Sequence, residues 1–423
     1  MARRIQDRLV DFRRSLHRYP EPSWCEFLTT SRIVDEVEAI GVDELYIGTD
    51  ALDPEARMGV PNDEELAQWH DRAADRWARA DVLDAAAGGL TGLVAVLDRG
   101  PGPTVGLRID IDALRQTEST ADGHAPAAGG YRSKTEGVMH ACGHDAHTTI
   151  GLGTLEAVAE SDFSGTFVLF CQPAEEVVGG GRPMAARGHV DKLDHFLALH
   201  VGLGHPTGEV VAGADEALSV RQLAAEFAGE SAHAGAEPEA GRNVMQAVAT
   251  ATSNLYCIPR NSGGLTRVNV GRADVGSAPN VIASEGRIEL EVRGGNDDLR
   301  EYVADHAYRT LDTAAEMHDC TVETETIATA PREDSDDSLR AVVGDVAAGV
   351  SDVDSVVSTA PLGVSEDATY LMRAAKEAGG DASFVVVGTD HPGGHHTATF
   401  DVDERTLEIG VEVLSGAVER LSG

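Results

Sequence analysis

Apolar, β-branched runs alternate with stretches of helical periodicity through the first part of the chain and again through the last. Residues 105–111, 166–171, 196–200 and 383–387 read as buried strands. Residues 29–40, 146–160, 367–378 and 404–421 repeat at the helical period, the last with Leu407, Val411, Leu414, Val418 and Leu421 as one stripe. At the start, Ile5, Leu9, Phe12 and Leu16 share a helical face. Strands alternating with helices predict an α/β unit, a sheet covered by helices.

Between residues 219 and 328 the order changes to strand (221–228), helix (242–256), strand (266–271), strand (286–293), helix (297–318) and strand (321–326), the split βαββαβ ferredoxin-like unit. Candidate chemistry lies on both sides of it. The simplest architecture is therefore a catalytic domain in two parts, 1–218 and 329–423, with 219–328 inserted as a lid, and hinges at 212–215 and 330–332. A second, charged and mostly helical insertion is expected over 42–89, with Trp69 and Trp77 packing it onto the domain.

The length of 423 residues favours two structural units over one core. Apolar residues make up 42%, in the range of globular proteins, and no run of them is long enough to span a membrane, so a soluble protein is expected. The net charge of −37, with Lys134, Lys192 and Lys376 the only lysines, argues against nucleic-acid binding. Acid groups are scattered along the whole chain, as at Asp334, Asp336, Asp337 and 401–404, which reads as a surface adapted to high salt. Five widely spaced cysteines suggest free thiols in a reducing compartment. The opening segment passes straight into a helical pattern without an apolar signal core, so a cytoplasmic protein is expected.

Chemistry concentrates in four places. In 139–147 a thiol and an imidazole, Cys142 and His144, stand two apart and can converge from an extended segment. Both residue types suit zinc or another borderline metal. Asp145 is placed to cap the following helix, and His147 to support the site from behind it. The strand at 166–171 runs into Glu175 and Glu176, adjacent carboxylates that can divide metal binding from proton transfer. The strand at 196–200 ends in His200, and the last predicted strand is followed by Gly393-Gly394-His395-His396-Thr397. Ligands of open α/β sheets collect beyond the carboxyl ends of strands, where Asp112, Glu175, Glu176, His200 and His396 would meet.

These residues, with Leu16-His17-Arg18-Tyr19-Pro20-Glu21, Glu26, 107–113, 137–147, 172–176 and Phe400-Asp401, resemble in order the motifs of the di-metal amidohydrolases and peptidases that include aminoacylases, hippurate hydrolase and indole-acetyl-amino-acid hydrolases. Within that family the chain most resembles the p-aminobenzoyl-glutamate hydrolase A-subunit subgroup, through the insertion from Arg57-Met58-Gly59-Val60-Pro61 to Gly88-Gly89-Leu90-Thr91-Gly92 and through Gly241-Arg242-Asn243. The resemblance implies a zinc-exopeptidase-like catalytic domain with a mixed sheet. It implies that Cys142, His144, Glu176, His200 and His396 hold two divalent ions, manganese or zinc, with Asp112 orienting a ligand. Glu175 would be the general base, His233 would polarise the scissile carbonyl, and Asn280 and Arg293 would hold the substrate carboxylate. The implied substrate is p-aminobenzoyl-glutamate, with a general N-acyl-amino-acid or hippurate-type hydrolase as the alternative. A homodimer is expected, or a related partner chain. Two positions depart from the family pattern: Arg115 and Ala398 stand where prolines are usual, and Arg115 is expected to alter the pocket mouth.

Overall fold

The computed structural model describes residues 2–423 and the side chains of residues 6–423, so Ile5 of the N-terminal stripe lies outside the described side chains. The chain divides into two compact units, one of residues 1–215, 333–362 and 366–423, the other of 216–332 and 363–365.

In the first unit the four buried strands pair in parallel. Thr166–Gln172, Thr104–Asp110, His195–Val201 and Asp381–Val387 lie side by side at the centre of an eight-stranded sheet. Their side chains alternate between two faces, and both faces are apolar. Phe167, Leu169 and Cys171 pack with Leu107, Ile109, Leu197 and Leu199 on one side. Val168 and Phe170 pack with Phe196, Ala198 and Phe384 on the other. Burial on both faces is why these strands read as continuous apolar runs and not as alternating ones. The first face is covered by the helices Ala2–Arg18, His144–Glu160 and Arg405–Leu421, the second by Ala368–Glu377 and Asp63–Asp75. The sheet is mixed because Leu93–Asp98 runs antiparallel to Thr166–Gln172, and Glu44–Ile47 antiparallel to Leu93–Asp98 at one edge.

The 42–89 segment is not only helical. It begins by supplying that edge strand and only then forms the helices Asp63–Asp75 and Ala80–Ala85. Its tryptophans differ. Trp69 is buried in the second core, with the Arg72 guanidinium 4.7 Å from its ring centre. Trp77, by contrast, is 92% exposed in a left-handed turn at φ 63°, so the expectation that both tryptophans pack the insertion down fails for Trp77.

A buried charge network pins the N-terminal helix to the site-bearing segments. Arg13 Nε donates to Asp145 Oδ2 at 2.8 Å and Arg13 Nη2 donates to Asp401. His17 sits between Asp145 Oδ2 at 2.8 Å and Glu118 Oε1 at 3.0 Å. Asp145 is therefore not the helix cap expected of it. Gly143, at φ 93°, precedes the helix, and Asp145 turns inward to Arg13 and His17. No Cβ fits at Gly143, because it would lie 2.6 Å from Val201 Cγ2.

The second unit has the order strand Ser219–Ala228, helix Val244–Leu255, strands Thr266–Val275 and Glu285–Gly294, helix Asp297–Met317 and strand Thr321–Ala330. All its pairings are antiparallel, with the last and first strands adjacent and the third between the first and second. That is the βαββαβ ferredoxin-like arrangement, with its own core around Leu223, Phe227, Ile288 and Leu311.

Two outcomes test the first unit's packing. Trp69→Ala should destabilise by about 3–5 kcal/mol in urea unfolding, whereas Trp77→Ser should stay within about 0.5 kcal/mol. Burial opposes the charge on His17, but its hydrogen bonds to Asp145 and Glu118 prevail and raise its pKa to about 9. A raised folded pKa stabilises most below the unfolded value and is lost as pH climbs through the folded one. Wild type should therefore lose melting temperature between about pH 6.5 and 9 relative to His17→Gln, and equal slopes for the two proteins would contradict the network's role.

Candidate metal centre

The carboxyl ends of the four parallel strands converge on one edge, and Asp112 organises it. Just past the end of Thr104–Asp110, its carboxylate accepts the Ser23 hydroxyl at 2.6 Å and the backbone amides of Glu175 and Glu176 at 3.1 Å each. The preceding amide, Ala174, donates to the buried Glu26 carboxylate at 2.8 Å. Three successive amides of the turn after Thr166–Gln172 are thus held by two buried carboxylates. Ala174 and Val178, both at φ 55°, flank that turn in the left-handed region, a conformation that costs non-glycine residues energy and persists only where the surroundings enforce it.

The histidine tautomers follow from what each ring nitrogen meets. His144 Nδ1 lies 3.0 Å from the Asp112 carbonyl, which can only accept, so Nδ1 carries a proton and Nε2 is the nitrogen left to face a ligand. His200 Nδ1 likewise donates to the Val201 carbonyl at 2.7 Å and leaves Nε2 bare. The bare His200 nitrogen faces Cys142 Sγ at 3.5 Å. His144 Nε2 stands 3.9 Å from Glu175 and 3.8 Å from Glu176 Oε1, and His396 Nε2 is 3.4 Å from Glu176 Oε2. Cys142, His144 and His200 bring donor atoms together within 4.8 Å, as do Cys142, Glu176 and His396, and His144, Glu175 and Glu176. His144 Nε2 and Glu176 Oε1 are buried without a hydrogen-bond partner. Two buried atoms without partners, set among a thiol, an imidazole and a carboxylate, fit a cation site, because burial without a partner is costly unless a ligand satisfies it. The set mixes sulfur, nitrogen and oxygen donors, which suits borderline divalent ions.

The electrostatics match. Burial raises the Glu176 pKa to about 8, and the neighbouring Asp112 and Asp110 add to the rise. Glu175 is pushed well up, first by burial and then by the charges of Glu366, Glu176 and Asp367. His200 is held far down by burial. Burial also opposes charge on His144, but Asp110 and Asp112 outweigh it, draw positive charge onto the ring and raise its pKa, and a cation at Nε2 would take the place of that proton.

Sequence reading overlooked part of this machinery. Glu366 and Asp367 bring carboxylate oxygens within 4.8 Å of Glu175, and Arg108, fully buried, donates toward Asp110 at 2.8 Å, Glu366 at 3.0 Å and Asp367 at 3.1 Å. Asp367 also accepts the Gly181 amide at 2.7 Å and Gln172 Nε2 at 2.6 Å. Arg108 and Asp110 share one face of an otherwise apolar strand, and that buried polar alternation was the available signal. His147, expected as a supporting residue, bonds Asp110 through Nδ1 and accepts the Val201 amide at 2.8 Å. Arg115 pairs with Glu65 of the inserted helix Asp63–Asp75.

The remaining expected residues lie in the second unit. His233 is exposed, and its Nδ1 accepts the amides of Gly235 and Ala236 at 3.1 Å each, so its proton resides on Nε2. Asn280 adjoins it, its carbonyl accepting the Ala234 amide at 3.0 Å. The Arg293 fork is engaged by Glu291, at 2.8 and 3.0 Å.

Comparison with known proteins shows the family. The chain is 40% identical over 416 residues to the A-subunit of p-aminobenzoyl-glutamate hydrolase from Escherichia coli, spanning 97% of this chain and 95% of the relative. It is 39% identical over 418 residues to indole-3-acetyl-aspartic acid hydrolase of Enterobacter agglomerans, spanning 98% and 95%. The crystal structure of an aminobenzoyl-glutamate utilization protein from Klebsiella pneumoniae superimposes with a TM-score of 0.85 at 34% identity, covering 99% of this chain and 97% of that one. The profile of "Peptidase family M20/M25/M40" matches residues 106–420, a span that holds every strand-end donor described above, and the chain belongs to that family of hydrolases.

Proposed function

We propose that the chain is a two-metal amidohydrolase that cleaves the amide bond of an aromatic acyl group conjugated to an acidic amino acid, with p-aminobenzoyl-glutamate as its substrate. The observation that carries the reading is the pair of buried, unpartnered donors, His144 Nε2 and Glu176 Oε1, facing Cys142, His200 and His396. The acidic amino acid is favoured because the relatives at 39% and 40% identity are named for aspartic-acid and glutamate conjugates.

In this reading Cys142, His144, Glu176, His200 and His396 hold the ions, manganese or zinc, and Asp112 fixes the His144 ring and the Glu175-Glu176 turn. When bound, such ions supply Lewis acidity to water and to the amide carbonyl. Glu175 takes the proton from the attacking water, holds it among the carboxylates that surround it, and returns it to the leaving amine. His233 Nε2–H donates to the carbonyl oxygen as charge develops there. Arg293 and Asn280 hold the substrate carboxylate, for which Arg293 must exchange its Glu291 partner.

The second reading, a chain that needs a related partner, rests on the Escherichia coli relative being named as one component of a multi-chain enzyme. The scattered acidic surface is read as an adaptation to high salt, in which screening relieves like-charge repulsion. No helix among the described residues is long and apolar enough to cross a membrane.

The test is glutamate release from p-aminobenzoyl-glutamate by the purified chain, stripped of metal and reloaded with manganese or zinc, with hippurate as comparator. Metal-dependent cleavage favouring the glutamate conjugate is expected. Turnover of hippurate alone would move the substrate, and turnover only with a second chain would favour the partner reading. Glu175→Ala should lower kcat by roughly a hundredfold or more while metal content is unchanged. The melting temperature should rise as sodium chloride is raised to molar levels, and a flat or falling curve would remove the high-salt reading.

A further inference from the structure

His200 and His395 stand 3.5 and 3.6 Å from the Cys142 sulfur, and of these two only His200 faces it with a bare nitrogen. His200 approaches Sγ at 3.5 Å through Nε2, which carries no proton because His200 Nδ1 donates to Val201. His395 approaches the same sulfur at 3.6 Å through Nδ1. Its other nitrogen, Nε2, receives the Leu203 backbone amide at 3.0 Å. A backbone N–H can only donate, so His395 Nε2 is the acceptor and the ring proton must be on Nδ1, pointing at the sulfur.

We infer that His395 is a positioning residue for Cys142: it donates an N–H···S hydrogen bond to the thiolate, fixes its direction and moderates the charge the sulfur gives to a bound ion. The inference rests on the reading of Cys142 as a metal ligand. It gives the adjacent histidines of the 393–397 segment separate jobs, with His396 reaching Glu176 and His395 reaching the sulfur.

The surroundings are built to hold that ring. Leu203, the donor to Nε2, adopts φ 49°, and His396, the residue after His395, adopts φ 61°, so both flanks of the contact are non-glycine residues in the left-handed region. Gly202, at φ 78°, lies so close that a Cβ would come within 2.8 Å of His395 Nε2. Ring contacts fix the plane, with Phe400 at 4.7 Å and His200 at 5.5 Å between centroids. A ring clamped from behind by an amide and from the sides by aromatics has one free donor, and that donor meets the sulfur. Groups that orient metal ligands in this way alter both affinity and electronic character, and their loss costs roughly 10- to 100-fold in affinity.

The experiment uses the full-length chain loaded with cobalt(II), whose thiolate-to-metal charge-transfer absorption reports the sulfur directly. A hydrogen bond lowers the energy of the sulfur electrons, so the band lies at shorter wavelength when the bond is present. His395→Phe preserves the ring packing and removes both hydrogen bonds. His395→Gln keeps an acceptor for Leu203 and loses the donor to sulfur, which covers the case in which the Phe variant does not fold. His395→Asn carries an amide N–H near the position of Nδ1. For Phe and Gln we expect a band moved to longer wavelength and a cobalt dissociation constant raised roughly tenfold or more, with both restored toward wild type by Asn. An unmoved band and an affinity within about twofold of wild type in both Phe and Gln would overturn the role of His395 and leave the metal site standing. A wild-type complex without any thiolate band would overturn the assignment of Cys142 as a ligand, and the inference with it.

Discussion

The site depends on one carboxylate. Asp112 sits where the strand Thr104–Asp110 leaves the sheet, and its two oxygens gather the Ser23 hydroxyl and the amides of Glu175 and Glu176, while its backbone carbonyl sets the tautomer of His144. Three chain segments distant in sequence are brought to one point by donors that would otherwise be buried and unsatisfied. A buried polar group left without its partner costs about 1–3 kcal/mol, so the arrangement is enforced from several directions at once. The left-handed residues Ala174 and Val178 are held by that enforcement.

Charge is the second constraint. Behind the donors lie Asp110, Glu366 and Asp367, all buried, with Arg108 as the guanidinium among them. One guanidinium cannot neutralise this many acids, and the raised pKa values of Glu175, Glu176 and Asp367 express the shortfall, each caused first by burial. Positive ions at the strand ends would remove the imbalance, so the same acids that make the protein uneasy without metal favour its binding. The Arg13, Asp145, Asp401 and His17 network does the opposite job: it closes its own charges and serves to hold helix, loop and sheet together.

Much of this was legible from residue types and spacing. The parallel strands announced themselves as apolar runs because both faces are buried, and Cys142, His144, Glu175, Glu176, His200 and His396 stood at or just beyond strand ends or in the Cys-x-His motif before a helix. What escaped were features set by tertiary contacts. Asp145 has the composition of a cap, yet it lies inside the first turn, where one oxygen accepts the Ala146 amide and the other is taken by Arg13 and His17. Trp77 looks like core and is exposed, because the segment turns back after Asp63–Asp75. Glu366 and Asp367 lie just before the helix Ala368–Glu377 and resemble surface residues until Arg108 is seen beneath them. In so acidic a chain, a carboxylate carries little information by itself.

The central strands also act as rulers. His200 reaches the donor cluster because it occupies the right phase of His195–Val201, paired with Val386 of the neighbouring strand. Side chains alternate with a period of two, so adding or removing a single residue within the strand would turn His200 toward the wrong face while leaving the apolar composition almost intact. Beyond the strand ends no such phase is kept. Lineages of this fold can therefore be expected to vary freely in loop length where substrates are met, and to keep strict residue count below it, so that gaps in an alignment, and not only substitutions, would record which parts of the chain measure distance for the chemistry.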